Sequence, residues 1–307
     1  MDFKLDFIGI GAARCGTTWI AKCIAEHPQL FIPDEKEIHF FDNDRRYKQG
    51  LKLYKEYFKN NTNNLSQGEF SPRYMLYKKS LERIEDKFPN IKVIVSLREP
   101  LERSISQYSY FRFNKKKEDE NDFMEALTGY YKEDYLFKSL YAEQLKNVFA
   151  TFERDKILII LYDNIKKNPQ ETLKKIYDFL DVDSDFKPSV LNKTINRSKI
   201  SYYDPAHWWA AFVKSVFNAK SRIVDEEVVQ EPVLKSRLLN RIIGSSTAQR
   251  VVKIINQRLD WLLGKDNKKK KILTKAEKRE LYYKYFRSEV DFLEDELKID
   301  LSAWKYK

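Results

Sequence analysis

The chain has 307 residues, enough for one large α/β domain with a sizeable buried core. Its composition, 42% hydrophobic and 14% aromatic, excludes a disordered chain, and two cysteines with three histidines argue against a disulfide scaffold and against a metal site built on Cys or His. Fifty-seven Lys and Arg against 46 Asp and Glu leave a net charge of +11, which favours an anionic partner: a nucleotide, an acidic glycan, nucleic acid or a lipid surface.

Residues 3–10 read as a short buried strand carrying Phe3, Leu5, Phe7, Ile8 and Ile10. A glycine-containing turn follows, then a helix from about Thr17 to Glu26 that stops before Pro28. A short strand is expected over Leu65–Phe70, ended by Ser71-Pro72, and a helix over 76–88. Lys92–Leu97 is a strand, and Pro100 opens a helix in its favoured first turn. Ile157–Tyr162 is the third strong strand, and Pro169 opens an amphipathic helix to about Leu180. Strands alternating with helices predict an α/β fold: a central parallel sheet flanked by helices, in a single domain over 1–307. The texture changes after about residue 190. Residues 206–264 carry Trp208, Trp209, Phe212, Leu238, Ile242 and Val251 at helical spacing and no clear strand, so a helical insertion or subdomain is expected there. Residues 265–271 form a basic loop, a last helix runs from about 274 to 297, and Trp304 pins the tail to the core. No run approaches 18 apolar residues. The charged start, Met1 to Asp6, leads straight into a strand without a signal or transit pattern. A cytoplasmic, reduced location without a stable membrane anchor is the expectation.

Glycine is scarce, 8 in all, yet three fall at Gly9, Gly11 and Gly16, between the first strand and the first helix. A turn at this place aims backbone N–H groups and a helix N-terminus at one point, which suits a phosphate or sulfate. Thr17 and Thr18 add hydroxyls and Arg14 adds a fixed positive charge. The plainer reading is a strand-to-helix turn capped by Thr, but Arg, Gly, Thr and Thr together exceed what capping requires. The run Gly11-Ala12-Ala13-Arg14-Cys15-Gly16-Thr17-Thr18 nearly matches the nucleotide-binding spacing G-x-x-x-x-G-K-[ST], with Thr17 in place of the lysine and the cation moved inside the loop to Arg14.

These residues, Arg14, Cys15, Gly16, Thr17, Thr18 and on through Trp19, resemble the 5′-phosphosulfate loop of sulfotransferases that use 3′-phosphoadenosine 5′-phosphosulfate (PAPS). Further matches follow in order. Lys92 to Phe111 resembles the family's 3′-phosphate segment, where a strand ends in Arg and a Ser follows eight residues later; Arg98 and Ser106 fill those places. Glu35 to Asp42, EKEIHFFD, resembles a segment of the glycan and bacterial members whose Glu is the catalytic base in the glycan enzymes, and Glu37 matches that base. Glu69 to Tyr74 resembles a second segment of the same enzymes, and Leu293 to Trp304 the closing helix and Trp. The resemblance implies a P-loop-NTPase-like fold, PAPS as donor, 3′-phosphoadenosine 5′-phosphate (PAP) as product, no metal, and a glycan or small-molecule acceptor.

By that resemblance Glu37 takes the acceptor's proton, Arg14 and the N–H groups from Gly16 to Thr18 hold the 5′-phosphate, and Arg98 and Ser106 anchor the 3′-phosphate. Arginine does not readily give up a proton, so Arg14 stabilises the leaving group without acting as an acid. His39 is the rival base. If the segment is extended, His39, two residues from Glu37, points elsewhere. Three departures stand out. The lysine after the first Glu of the second segment is Phe70, leaving Arg73 or a later lysine to substitute. The family's late basic loop has no clear copy, and Lys268, Lys269 and Lys270, with Lys271, fall at about that distance before the last helix. Asn196, Arg197 and Ser198 are further candidates for contact with donor or acceptor. Two readings from other classes stay open. One is a P-loop nucleotide kinase with Asp163 as its Mg²⁺ ligand; the other is a non-enzymatic basic protein that binds nucleic acid.

Overall fold

The computed structural model describes residues 3–120, 122–193 and 273–306. They belong to one unit made of Met1–Lys199 and Ile272–Lys307. Five parallel strands form its sheet, in the order β2-β3-β1-β4-β5: β1 is Phe7–Gly11, β2 Leu30–Phe31, β3 Ser66–Phe70, β4 Lys92–Leu97 and β5 Ile157–Leu161. Parallel strands need crossovers, and α1 (Thr17–Ala25), α2 (Lys78–Lys87), α3 (Pro100–Ser109) and α4 (Tyr141–Thr151) lie in them; α5 (Pro169–Phe179) and, after the described segments resume, α6 (Arg287–Leu297) follow the last strand. The expected α/β sheet and its main helices are therefore present.

Because side chains alternate across a strand, the central strands feed two cores. Ile8, Ile10, Val93 and Val95 face one, with residues of α2, α3, α4 and α6. Phe7, Ile94 and Ile160 face the other, with α1 and α5. Both faces are covered, so the strands read as nearly continuous apolar runs rather than alternating ones. Gly9 is required by this packing: a Cβ there would lie 1.9 Å from the Phe70 ring.

Three differences from the sequence reading have local causes. The first strand begins at Phe7, because Phe3 and Leu5 pack as an irregular arm. Helix α4 was not expected, although Tyr141, Gln144, Leu145 and Val148 form a buried stripe at helical spacing. The single helix expected over 274–297 is two, Lys275–Leu281 and α6, joined by a wide π turn over Tyr282–Phe286. That turn keeps both Tyr282 and Phe286 buried. Trp304 does pin the tail: it is 3% exposed, and its Nε1–H donates to Asp163 Oδ2 at 2.7 Å. The residue range 206–264 and Lys268, Lys269, Lys270, Asn196, Arg197 and Ser198 lie outside the described residues.

Candidate active site

The turn after β1 is held from below before it can hold anything itself. The Ser96 hydroxyl donates to the Cys15 carbonyl, and the Ala12 N–H to the Ser96 carbonyl at 2.8 Å. Arg103, fully buried, donates through Nε to the Ala13 carbonyl at 3.2 Å. Its other nitrogens reach the Asp134 carbonyl at 2.6 Å, Ser139 Oγ at 3.3 Å and Gln107 Oε1 at 3.3 Å. Arg14 and Gly16 adopt left-handed conformations, with φ of 72° and 89°. The first bonds inside α1 run from the Trp19 and Ile20 N–H groups to the Gly16 carbonyl. The N–H groups of Thr17 and Thr18 therefore have no acceptor within the helix, which is the geometry of an anion-binding helix start. A Cβ on Gly16 would sit 3.0 Å from both Ile165 and Tyr162, in addition to the left-handed φ. Gly16→Ala is expected to destabilise the fold by about 1–2 kcal/mol. An unchanged denaturation midpoint in urea would show that the turn does not depend on glycine.

Around this turn the cations gather. Arg14 donates through Nε to Ser106 Oγ at 3.3 Å and lies 4.5 Å from the Tyr110 ring centre. Burial pulls its guanidinium below the ordinary value; Arg103 and Arg98 push the same way, and Tyr110 opposes them. Such a cluster is destabilised by its own charge and relieved by a bound anion. Arg98, just past β4, lies over the Tyr162 ring at 5.0 Å and pairs with Glu102 at 3.3 Å. Lys278 also bonds to Glu102, from the far end of the chain. Against burial, Lys278 holds the Glu102 carboxyl below its usual range, with Arg98 and Lys166 adding to the effect. The sequence reading missed Arg103 and Lys278. Arg103 stands three residues before Ser106 on the same helix, so it shares a face with a residue already singled out. A charge at that spacing, between the apolar Leu101 and Ile105, was the signal that could have found it.

Two residues of the expected donor site have other employment. The Trp19 indole is buried in the core between α1 and the sheet, with Nε1–H on the Leu191 carbonyl at 3.2 Å. The Cys15 side chain is buried against Tyr141 Oη at 3.6 Å, and burial pushes its thiol up. Its contribution to the turn is the backbone. Among the described residues, no group of three or more His, Cys, Asp and Glu is arranged to hold a metal ion.

The second cluster lies beside the turn because β3 neighbours β1 and, being parallel to it, ends on the same, carboxyl side of the sheet. Ser71, the first residue past β3, donates its N–H to the Gly9 carbonyl at 2.9 Å and accepts the His39 N–H on Oγ at 3.1 Å. Here the sequence expectation needs correction. The segment is not extended at Glu37 and His39, whose φ values are 67° and 52°, and the two side chains meet instead of diverging. His39 Nε2 faces Glu37 Oε2 at 3.6 Å, and Nδ1 bonds Asp42 Oδ2 at 3.1 Å. Arg73 Nε reaches the same Asp42 oxygen at 3.3 Å. The Asp42 side chain is only 1% exposed, and it was given no role in the sequence reading. Asp42, with help from Glu37, holds the His39 imidazole up at about 9. His39, and after it Lys36 at 2.8 Å, holds the Glu37 carboxyl down at about 2 in spite of burial. At neutral pH the pair is carboxylate and imidazolium, so Glu37 is the member able to accept a proton. Phe70, in place of the family's lysine, is buried under Gly9 and faces the core. Asp163, the magnesium ligand of the kinase reading, is taken up by Trp304.

A family profile described as Sulfotransferase domain matches residues 4–203. The chain belongs to the sulfotransferase family. Among curated proteins, this sulfotransferase domain is 28% identical to mouse (Mus musculus) heparan sulfate glucosamine 3-O-sulfotransferase 5, over 56% of this chain and 52% of that protein. It is 24% identical to the membrane-associated sulfotransferase kil1 of Dictyostelium discoideum, over 64% of this chain and 62% of that one. The chain thus spans about half the length of the curated relatives it matches. Among solved structures, a sulfotransferase from Alicyclobacillus acidocaldarius superposes with a TM-score of 0.56 at 24% identity, covering 71% of this chain and 97% of that one. That likeness is one of fold.

Proposed function

We propose that this domain transfers a sulfuryl group from PAPS to a hydroxyl of a glycan or small-molecule acceptor, with Glu37 as general base. The observation that carries the reading is the placement, at the carboxyl ends of neighbouring strands, of a helix-start turn ringed by Arg14, Arg98 and Ser106 and of the segment bearing an ionised Glu37. The donor, when bound, supplies the activated sulfuryl group. This chain's own residues do the rest. The Thr17 and Thr18 N–H groups and Arg14 neutralise charge that grows on the 5′-phosphate oxygen. Arg98, with Lys278 brought beside it through Glu102, binds the 3′-phosphate. Glu37, so weak a base, takes the acceptor's proton late, when the hydroxyl oxygen is already bonding to sulfur.

A sugar hydroxyl as acceptor is supported by the EKEIHFFD segment and by the similarity to a heparan sulfate 3-O-sulfotransferase. The +11 charge suits an anionic acceptor as well as the donor. The cytoplasmic location belongs to the same proposal, supported by two unpaired cysteines, Cys15 and Cys23. Among the described residues no helix is long and apolar enough to cross a membrane.

The test is calorimetric titration with PAP, beside ATP–Mg²⁺ and short duplex DNA. Metal-independent binding of PAP is expected, weakened roughly tenfold or more in Arg98→Ala by loss of a charged hydrogen-bonding partner. Binding of ATP–Mg²⁺ or DNA without PAP would overturn the reading.

A further inference from the structure

Left-handed φ at two non-glycine residues, Glu37 and His39, costs about 1–3 kcal/mol each and persists only where the surroundings over-determine the backbone. The surroundings here converge on one buried group. Glu69, the fourth residue of β3, is 1% exposed, and its carboxylate accepts three hydroxyls. Tyr74 Oη donates to Oε1 at 2.7 Å, Tyr54 Oη to Oε1 at 3.2 Å, and Ser71 Oγ to Oε2 at 2.7 Å.

Two of these hydroxyls pass the bond on. Ser71 Oγ accepts the His39 N–H at 3.1 Å, and Tyr74 Oη accepts the Phe40 N–H at 2.9 Å. A hydroxyl has one hydrogen to give. Because Glu69 takes it, each oxygen is left facing the segment as an acceptor, and the direction of both relays is set by the carboxylate. Tyr54 touches the same carboxylate but, among the described residues, bonds to no N–H of the segment.

We propose that Glu69 is a positioning residue for the candidate base: through Ser71 and Tyr74 it holds the His39–Phe40 backbone so that the Glu37 and His39 side chains meet. The inference rests on the reading of Glu37 as the base, and deepens it. The protein uses a rigid strand end, anchored in the core, to fix an irregular segment that has no hydrogen-bond ladder of its own.

The test compares the double variant Ser71→Ala/Tyr74→Phe and Glu69→Gln with Tyr54→Phe, which loses a bond to the carboxylate without cutting a relay. All are measured at about pH 8, where the Glu69 carboxyl, pushed up to about 7 by burial, is ionised. Turnover in the first two is expected to fall about 10- to 100-fold with PAP affinity kept within about twofold, while Tyr54→Phe turns over normally. His39, followed by NMR, is expected to titrate at least about one unit lower in the double variant than in the parent chain, as its pairing with Glu37 loosens. An unchanged His39 titration in the double variant overturns the proposal, whether or not the chain turns over. An equal loss of turnover in Tyr54→Phe overturns it too, by showing a general effect on the core. Failure of the parent chain to bind PAP overturns the functional reading instead, and the His39 titration still decides the role of Glu69.

Discussion

Glu37→Gln is expected to lower turnover by about 10²- to 10⁴-fold, the usual worth of a positioned general base. PAP affinity should stay within about twofold, because the partners of Glu37 among the described residues are Lys36 and His39, neither of them assigned to the donor. The measurement is steady-state turnover of a sugar acceptor beside calorimetry with PAP. Near-normal turnover would remove Glu37 from the role. The pH dependence separates it from its rival. The Glu37 carboxyl is held at about 2, so it is ionised throughout the working range. The His39 imidazole is held at about 9 and is protonated until then. If Glu37 is the base and the imidazolium orients it, turnover is flat through neutral pH and falls as pH rises through about 9. If His39 were the base, turnover would rise over the same interval. The same shifts set a stability window. The lowered Glu37 value contributes above its ordinary 4.5 and is lost towards 2; the raised His39 value contributes below 6.5 and is lost towards 9. Both contribute in full only between those ordinary values.

Arg103→Met should produce the largest loss of stability. Arg103 is fully buried, and its guanidinium satisfies the carbonyls of Ala13 and Asp134 and the side chains of Ser139 and Gln107. Each orphaned acceptor costs about 1–3 kcal/mol, offset in part because a desolvated charge is removed. A net loss of about 3 kcal/mol is expected, which lowers Tm by about 6–12 °C in a domain of this size. The Ala13 carbonyl belongs to the turn proposed to hold the donor's phosphate, so PAP affinity should fall as well, and Arg103→Lys, which keeps charge without the planar fork, should lie between. A Tm and a PAP affinity both unchanged in Arg103→Met would show that the turn is held by Ser96 alone.

Much of the site was legible along the chain because its parts are runs of consecutive residues. A buried strand, a glycine-bearing turn with Arg14, and a helix opening at Thr17 follow one another within 7–25. The same holds for β4, Arg98 and the helix opened by Pro100. Phe70, by contrast, looked like a gap in an acceptor site and is instead core, since Gly9 leaves the space its ring fills. Trp19 looked like part of the donor site for the same reason of adjacency, and helix periodicity turned it to the core.

What the sequence by itself determined is the set of local elements: which runs form strands and helices, where the glycine turn lies, and that its cation is an arginine. Periodicity and turn chemistry act between near neighbours, so they can be read without knowing the fold. The tertiary structure alone decided the strand order, the meeting of Glu37 with His39, the reach of Lys278 to Glu102, and the anchoring of the turn by Arg103. Lys278 and Glu102 are 176 positions apart, and Arg103 and Ala13 are 90 apart. Contacts at such separations are set by how the two cores pack on the sheet, and no local pattern encodes them.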